Sequence, residues 1–386
     1  MTFSAKKFLH LLLFFIPTFG LAIANADDFT SVPASPEYWE LHAGQEWETT
    51  TIAGREAFTL SRPAIVKDLE LSRGTIEVDI IRSSPRHFAG VLFHANESVE
   101  PYNLPFNESV YVRMHKANSP DAMQYTPHFN GESNWQMLAN AQTANAWPQN
   151  EWFTLRVEFT ETQARASIIT GKETKPLNIP TLKNNKFQSG HIGIWALFKG
   201  HYSNFRYSTQ TNLSLETTTT PLPKTQIQKW KISQSITADN HFNFNGEDGV
   251  KPDWSIVQSN LDDGLLYVSR YAPKARGGDF EGNSDDKVLI KIPVKAEKTI
   301  TKQLNFDFSD QVTIHLNGEP LFKGNNSFRA KGPLFRGDFN AKAQSIFLPL
   351  TKGKNEIVFE LEERANGWGL SAEFDNLEDI HLPLQN

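Results

Sequence analysis

Cysteine is absent from this 386-residue chain, which excludes disulfides, thiolate metal sites and cysteine catalysis together. Long stretches with helical apolar spacing and caps are also missing, so a helical bundle is excluded. An excess of positive charge is lacking: the formal net charge is −6, no electrostatic footprint for nucleic acid. After the N-terminal segment, no apolar run reaches the roughly 20 residues that span a bilayer. What the chain has instead is 28 Phe, 9 Trp and 8 Tyr alongside 21% charged residues. That balance rules out disordered, collagen-like and coiled-coil proteins. At roughly 100–200 residues per domain, the length fits two domains, each burying its own core.

The first segment reads as an address. Lys6 and Lys7 precede the apolar runs 8–16 and 19–24, which lead to the small-x-small triplet Ala24-Asn25-Ala26. This is the pattern of a secretory signal peptide over 1–26, cleaved before Asp27. Pro17 and the triplet argue against a retained anchor. The expectation is a soluble mature protein without a membrane span, periplasmic or secreted.

Downstream, short runs alternate apolar and polar residues between Gly, Pro, Asn and Asp. Examples are 74–81, 109–115, 153–159 and 191–195, then 303–308, 312–316, 345–350 and 356–361. Period-2 alternation with β-branched and aromatic residues marks half-buried strands. Without helices, only another sheet can cover a sheet's apolar face. The fold class is therefore all-β: two β-sandwich (jelly-roll) domains at 37–208 and 225–386. The Thr- and Pro-rich run 209–224, with Pro221 and Pro223, reads as the linker between them.

Sorting strands by face gives the candidate site. Ile76, Val78 and Ile80 belong to the core, with Glu77 and Asp79 outward as a cross-strand charge ladder. Val110, Val112 and Met114 face inward, leaving Tyr111, Arg113 and His115 outside. Met123, Tyr125 and Phe129 read as core, with Gln124 and His128 opposite. Asn130-Gly131 is a hairpin turn signal, and Trp135 sits on the return arm, as a core indole or as a platform. With Trp195 added, one sheet surface would carry carboxylates, Arg, His, amide and indole groups together. Such a mixture suits a sugar, whose CH face packs on aromatic rings and whose hydroxyls want planar polar partners. The oligo- or polysaccharide contacts would be Tyr111, Arg113, Gln124, Asn130, Trp135 and Trp195.

The elements Gly74-Thr-Ile-Glu-Val-Asp79, Phe88-Ala-Gly-Val-Leu-Phe93, Tyr111-Val-Arg-Met-His115, Asp121-Ala-Met-Gln-Tyr125, Gly190-His-Ile-Gly-Ile-Trp195 and Tyr202-Ser-Asn-Phe-Arg206 carry a resemblance. The segment from Trp39 to about Tyr207 resembles concanavalin A-like (laminin-G-like) jelly rolls, in the branch of the 3-keto-disaccharide hydrolase family and the laminarin-type glucanases. The resemblance implies the fold and leaves the activity open, since such domains also serve lectins and adhesive modules. Glucanases of that branch carry Glu-x-Asp-x-x-Glu. Here Glu77-Val-Asp79 is followed by Arg82, which cannot supply the second carboxyl group. No nucleophile elbow is present to anchor a Ser/His/Asp triad.

The second half resembles galactose-binding-like jelly rolls through 309–322, with its Asn317-Gly318 turn, and through 348–359 and 367–370. Such modules often bind sugars or a structural calcium. No cofactor is expected, although Asp262-Asp263 and Asp285-Asp286 would offer oxygen ligands to calcium. Three functions stay open. The first is an exported carbohydrate-binding or carbohydrate-processing accessory protein. The second is a glycoside hydrolase or lyase with His115 or His128 as base, Arg113 neutralising charge and Asp121 as acid or orienting group. The third is a non-catalytic structural or adhesive module. The oligomeric state is left open.

Overall fold

A computed structural model describes residues 28–42, 44–82, 86–96, 104–171, 174–184, 186–217, 220–243, 248–274, 286–364 and 366–385. The signal-peptide reading of 1–26 and the candidate ligand Asp285 lie outside the described residues. Strands dominate, and the few helical turns among the described residues are short 3₁₀ segments. No helix among them is long and apolar enough to cross a membrane.

The first half forms two antiparallel sheets. One orders its strands Leu177–Ile179, Ala164–Ile169, Phe153–Phe159, Gly74–Ile81, Gly200–Ser208, Arg55–Leu60 and Glu48–Ile52. The other runs Glu132–Ser133, Met123–Phe129, Phe106–Arg113, Phe88–Ala95, Gly190–Leu197, Ala64–Leu71 and Trp39–Leu41. Alternation decides what each strand buries. In Phe153–Phe159, Phe153, Leu155, Val157 and Phe159 are buried while the residues between them are partly exposed. Ile76, Val78 and Ile80 of the first sheet meet Val91, Val110, Val112, Met123 and Tyr125 of the second in one core. Sheet-on-sheet packing of this kind is what an all-β chain needs to dry both apolar faces.

The second half repeats the solution. A sheet built around Asp286–Ala296, Gly353–Glu363 and Gln311–Leu316 packs on a four-stranded sheet containing Ile300–Ser309 and Gly369–Phe374. Ile290, Phe359, Phe306 and Leu370 share its core. Between the sandwiches the chain carries no strand among the described residues of 209–224. Part of that run lies along the first sandwich, where Gln163 exchanges two hydrogen bonds with the backbone of Leu215 (2.9 and 3.0 Å).

The sandwiches are in direct contact. The turn at Asn130 (φ 52°) and Gly131 (φ 80°) has two successive left-handed residues, as a tight hairpin requires. It directs the 123–133 hairpin into the second sandwich. There the Asn130 amide donates to the Ser269 carbonyl at 2.7 Å, and the Phe129 ring meets Tyr267 edge-on at 5.5 Å. Glu132 accepts from the Lys274 backbone at 2.7 Å, and Lys183 sits 2.8 Å from Asp263. Leu265, Tyr267 and Phe339 complete the first sandwich's core.

Candidate functional site

The two sheets of the first sandwich divide the expected site between them, which corrects the expectation of one shared surface. Glu77 and Asp79 belong to the sheet of Gly74–Ile81, whereas Tyr111, Arg113, Gln124 and Trp195 belong to the other. Glu77 is held by Arg156 at 3.1 Å and by Arg206 Nε at 2.8 Å. Asp79 accepts from Thr154 at 2.5 Å and Asn204 at 3.3 Å, and it pairs with Arg55. These carboxylates are committed to neighbouring strands, as the ladder reading requires.

On the opposite sheet, residue i to i+2 spacing sends Tyr111 and Arg113 outward together. Tyr111 lies across from Gln124 on one neighbouring strand and from Gly90 on the other; Gly90 in turn faces Trp195. The Tyr111 and Trp195 rings stack with centroids 4.6 Å apart and planes at 26°. Glycine is required between them: a Cβ at residue 90 would come within 2.2 Å of the Val110 carbonyl oxygen and 2.6 Å of the Tyr111 Cα. The Tyr111 hydroxyl donates to Gln124 Oε1, and Gln124 Nε2 donates to Gln142 Oε1, both at 3.0 Å. Trp195 remains partly exposed over this buried layer.

The aromatic layer leads into a cleft. Phe88 packs edge-on to Tyr111 at 6.0 Å and to the His115 ring at 5.1 Å. The guanidiniums of Arg86 and Arg113 lie 5.8 and 5.7 Å from its centroid. Beyond Arg113 a 3₁₀ turn, Met114–Lys116, carries His115 to the rim. The cleft measures about 240 Å³. Arg86, Arg113, His115, Lys116 and Asp121 form one wall; Phe328, Arg329, Leu334 and Arg336 of the second sandwich form the other. Asp121 pairs with Arg113, and Arg336 reaches the same carboxylate oxygen at 2.6 Å. Arg336 also lies 3.2 Å from Asp338, and its guanidinium sits 5.2 Å from the Trp135 centroid.

Electrostatics follow from this crowding. Burial, then Arg113, Arg86 and Lys116, lower the His115 pKa to about 4, so the imidazole is neutral near pH 7. Burial depresses the Arg113 guanidinium, with Arg336 and Arg86 pushing the same way and Asp121 opposing them. Among the described residues, Asp121 is the single carboxylate lining the cleft. Retaining or inverting glycoside hydrolysis by the usual route needs two carboxyl groups.

Of the candidate residues, Arg113, His115 and Asp121 line one cleft, Tyr111 and Trp195 adjoin it through Phe88, and Trp135 stands beside Arg336 and Phe328. Trp135 is partly exposed, which removes the core-indole alternative. Four residues are corrected. Tyr111 is buried against Trp195 and bonded to Gln124, so it backs the platform and does not reach a ligand. Gln124 is buried under its bonds to Tyr111 and Gln142, so it orients the platform and does not reach a ligand. His128 is buried beside Trp195 outside the cleft lining, and desolvation lowers its pKa to about 4, which makes it a weak base near pH 7. Asn130 is bonded into the second sandwich, away from the cleft lining. Asp262 and Asp263 both pair with the Lys183 ammonium. Asp286 is buried within its strand.

The cleft lining also includes residues outside the candidate set, Arg86, Lys116, Phe328, Arg329, Leu334 and Arg336, and the adjoining aromatic layer uses Phe88 and Gly90. A local signal existed for some of them. The run Ser327-Phe-Arg-Ala-Lys-Gly-Pro-Leu-Phe-Arg336 is basic, aromatic and turn-rich within an acidic chain. Nothing local ties it to Arg113.

No family model matches the chain, and no curated protein matches it. Among solved structures it is similar to a carbohydrate-binding module, CBM66, from Bacillus subtilis (12% identity, 48% of this chain and 97% of that one, TM-score 0.32). It is similar to a Bacillus subtilis protein of unknown function with a galectin-like fold (10% identity, 45% and 90%, TM-score 0.32). An anti-sigma factor domain-containing protein aligns over 88% of this chain and 87% of its own at 8% identity and TM-score 0.25. None of these likenesses is strong enough to bear on function.

Proposed function

We propose that this chain is an exported carbohydrate-binding protein whose glycan site runs from the Tyr111–Trp195 platform into the cleft between the sandwiches. The observation that carries this reading is the partly exposed Trp195 ring, backed by Tyr111 across Gly90 and continuous through Phe88 with a cleft rich in planar donors. A pyranose lays its CH face on such a ring while guanidiniums take its oxygens. Binding is favoured over hydrolysis or elimination because a His115 pKa near 4 makes the ring a weak base near pH 7 and Asp121 is clamped by Arg113 and Arg336. Export rests on the N-terminal leader pattern. In a polysaccharide panel scored for retention and for released ends, the expected result is retention without release. Trp195→Ala should weaken retention roughly tenfold or more, as the loss of an aromatic anchor does. Turnover that His115→Ala abolishes while retention persists would replace this reading with the hydrolase or lyase one. Absence of retention on every glycan would leave the structural or adhesive reading.

A further inference from the structure

The cleft has a charge that the rest of the molecule does not share. The chain as a whole carries a formal −6, yet Arg86, Arg113, Lys116, Arg329 and Arg336 converge on the cleft with Asp121 as the carboxylate in its lining. Among the described residues Asp338, next to Arg336, adds one more negative charge, and Arg113, Lys116, Arg329 and Arg336 still outnumber the two carboxylates. The excess is partly desolvated: the Arg113 side chain is 11% exposed and that of Arg336 19%. Both share one oxygen of Asp121, and the Nε of each has no acceptor among the described residues. Donors therefore outnumber acceptors at a place where water is partly excluded, and an added anion supplies what is missing.

We infer that the cleft selects a negatively charged saccharide, bearing a uronate carboxylate or a sulfate ester, over a neutral one; this rests on the glycan-binding reading above. The planar guanidinium fork matches a carboxylate or sulfate with two parallel hydrogen bonds, whereas a neutral hydroxyl offers no charge to offset the cluster. At about 240 Å³ the cleft is below the roughly 300–1,000 Å³ of drug-sized sites. One charged sugar of a chain sits in it, and the neighbouring unit reaches toward Trp195. Because Phe328, Arg329 and Arg336 come from the second sandwich, selectivity needs both domains.

The test titrates the full mature chain with oligogalacturonate, a sulfated galactan and a neutral β-glucan, at low salt and at about 0.15 M salt, where the Debye length falls to about 8 Å. At least one acidic glycan should bind about tenfold or more tighter than the neutral one, and its affinity should fall as salt rises. Which acidic glycan binds identifies carboxylate or sulfate as the recognised group. Arg329 is exposed and outside the core, so Arg329→Glu should keep the melting temperature while weakening acidic-glycan binding several-fold. Binding of the neutral glycan as tightly as both acidic ones, or independent of salt and of Arg329→Glu, would overturn the inference and leave the glycan-binding reading standing. Binding of no glycan would overturn both.

Discussion

The outer faces of the two sheets in the first sandwich are built from similar residues and do opposite things. On the sheet of Gly74–Ile81, Arg55, Arg156 and Arg206 meet Glu77 and Asp79, so those carboxylates are spent on pairing within the sheet. On the sheet of Phe106–Arg113, aromatic rings separate the charges, and cations gather at one end with few carboxylates to answer them. Charge content alone therefore says little about a binding face. What matters is whether cross-strand register places opposite charges side by side.

The largest effect should come from Gly90→Ala, which removes the close approach on which the second face depends. The added methyl would press on the Val110 carbonyl and the Tyr111 backbone. A loss of about 3 kcal/mol or more in stability is expected, together with loss of glycan binding. Wild-type unfolding and affinity in this variant would break the account of the platform.

Next comes Glu77→Gln on the first face. It leaves Arg156 and Arg206 without their shared carboxylate, and since the guanidiniums are partly exposed the cost should be about 2–3 kcal/mol in chemical denaturation, below that of a fully buried pair. Glycan affinity should stay at the wild-type value. A variant of normal stability with weakened binding would reverse the roles assigned to the two faces.

The smallest effect concerns His128 beneath Trp195. Its pKa in the folded chain is about 4 through burial, against roughly 6.5 when unfolded. Between those values the unfolded chain holds a proton that the folded chain excludes, so folding loses stability as pH falls from about 6.5 to about 4. His128→Phe removes that dependence. Its stability relative to wild type should improve by up to about 2 kcal/mol on going from pH 7 to pH 5. A difference between the two proteins that does not change with pH would show that His128 is not held neutral by its surroundings.

Much of the architecture could be read along the chain because alternation is a local property. Val110, Val112, Met123, Tyr125 and Phe129 sit in the core as their positions imply, and Asn130-Gly131 and Asn317-Gly318 both make left-handed turns between strands. The site was legible only in part. Arg113 and Trp195 follow from strand faces, but Tyr111, Gln124 and His128 share that face and are still buried, since what lies over a strand is not written in the strand. Glu108 shows the converse. It alternates with Val110 into the interior, where burial raises its pKa to about 7 while Tyr125 and the Asn184 backbone donate to it. A carboxylate at an inward position is tolerated only because distant chain segments supply those donors.

The sequence by itself determined the all-β character, the strand faces, the turns and the excess of aromatic residues, because each depends on neighbours a few positions apart. Tertiary structure alone decided that Glu77 and Asp79 stand on a different sheet from Arg113. It also brought Arg336 to the same carboxylate oxygen as Arg113. Those placements depend on strand order and on how one sandwich docks against the other. The first concerns residues about 35 positions apart and the second residues more than 200 apart, separations at which periodicity carries no information.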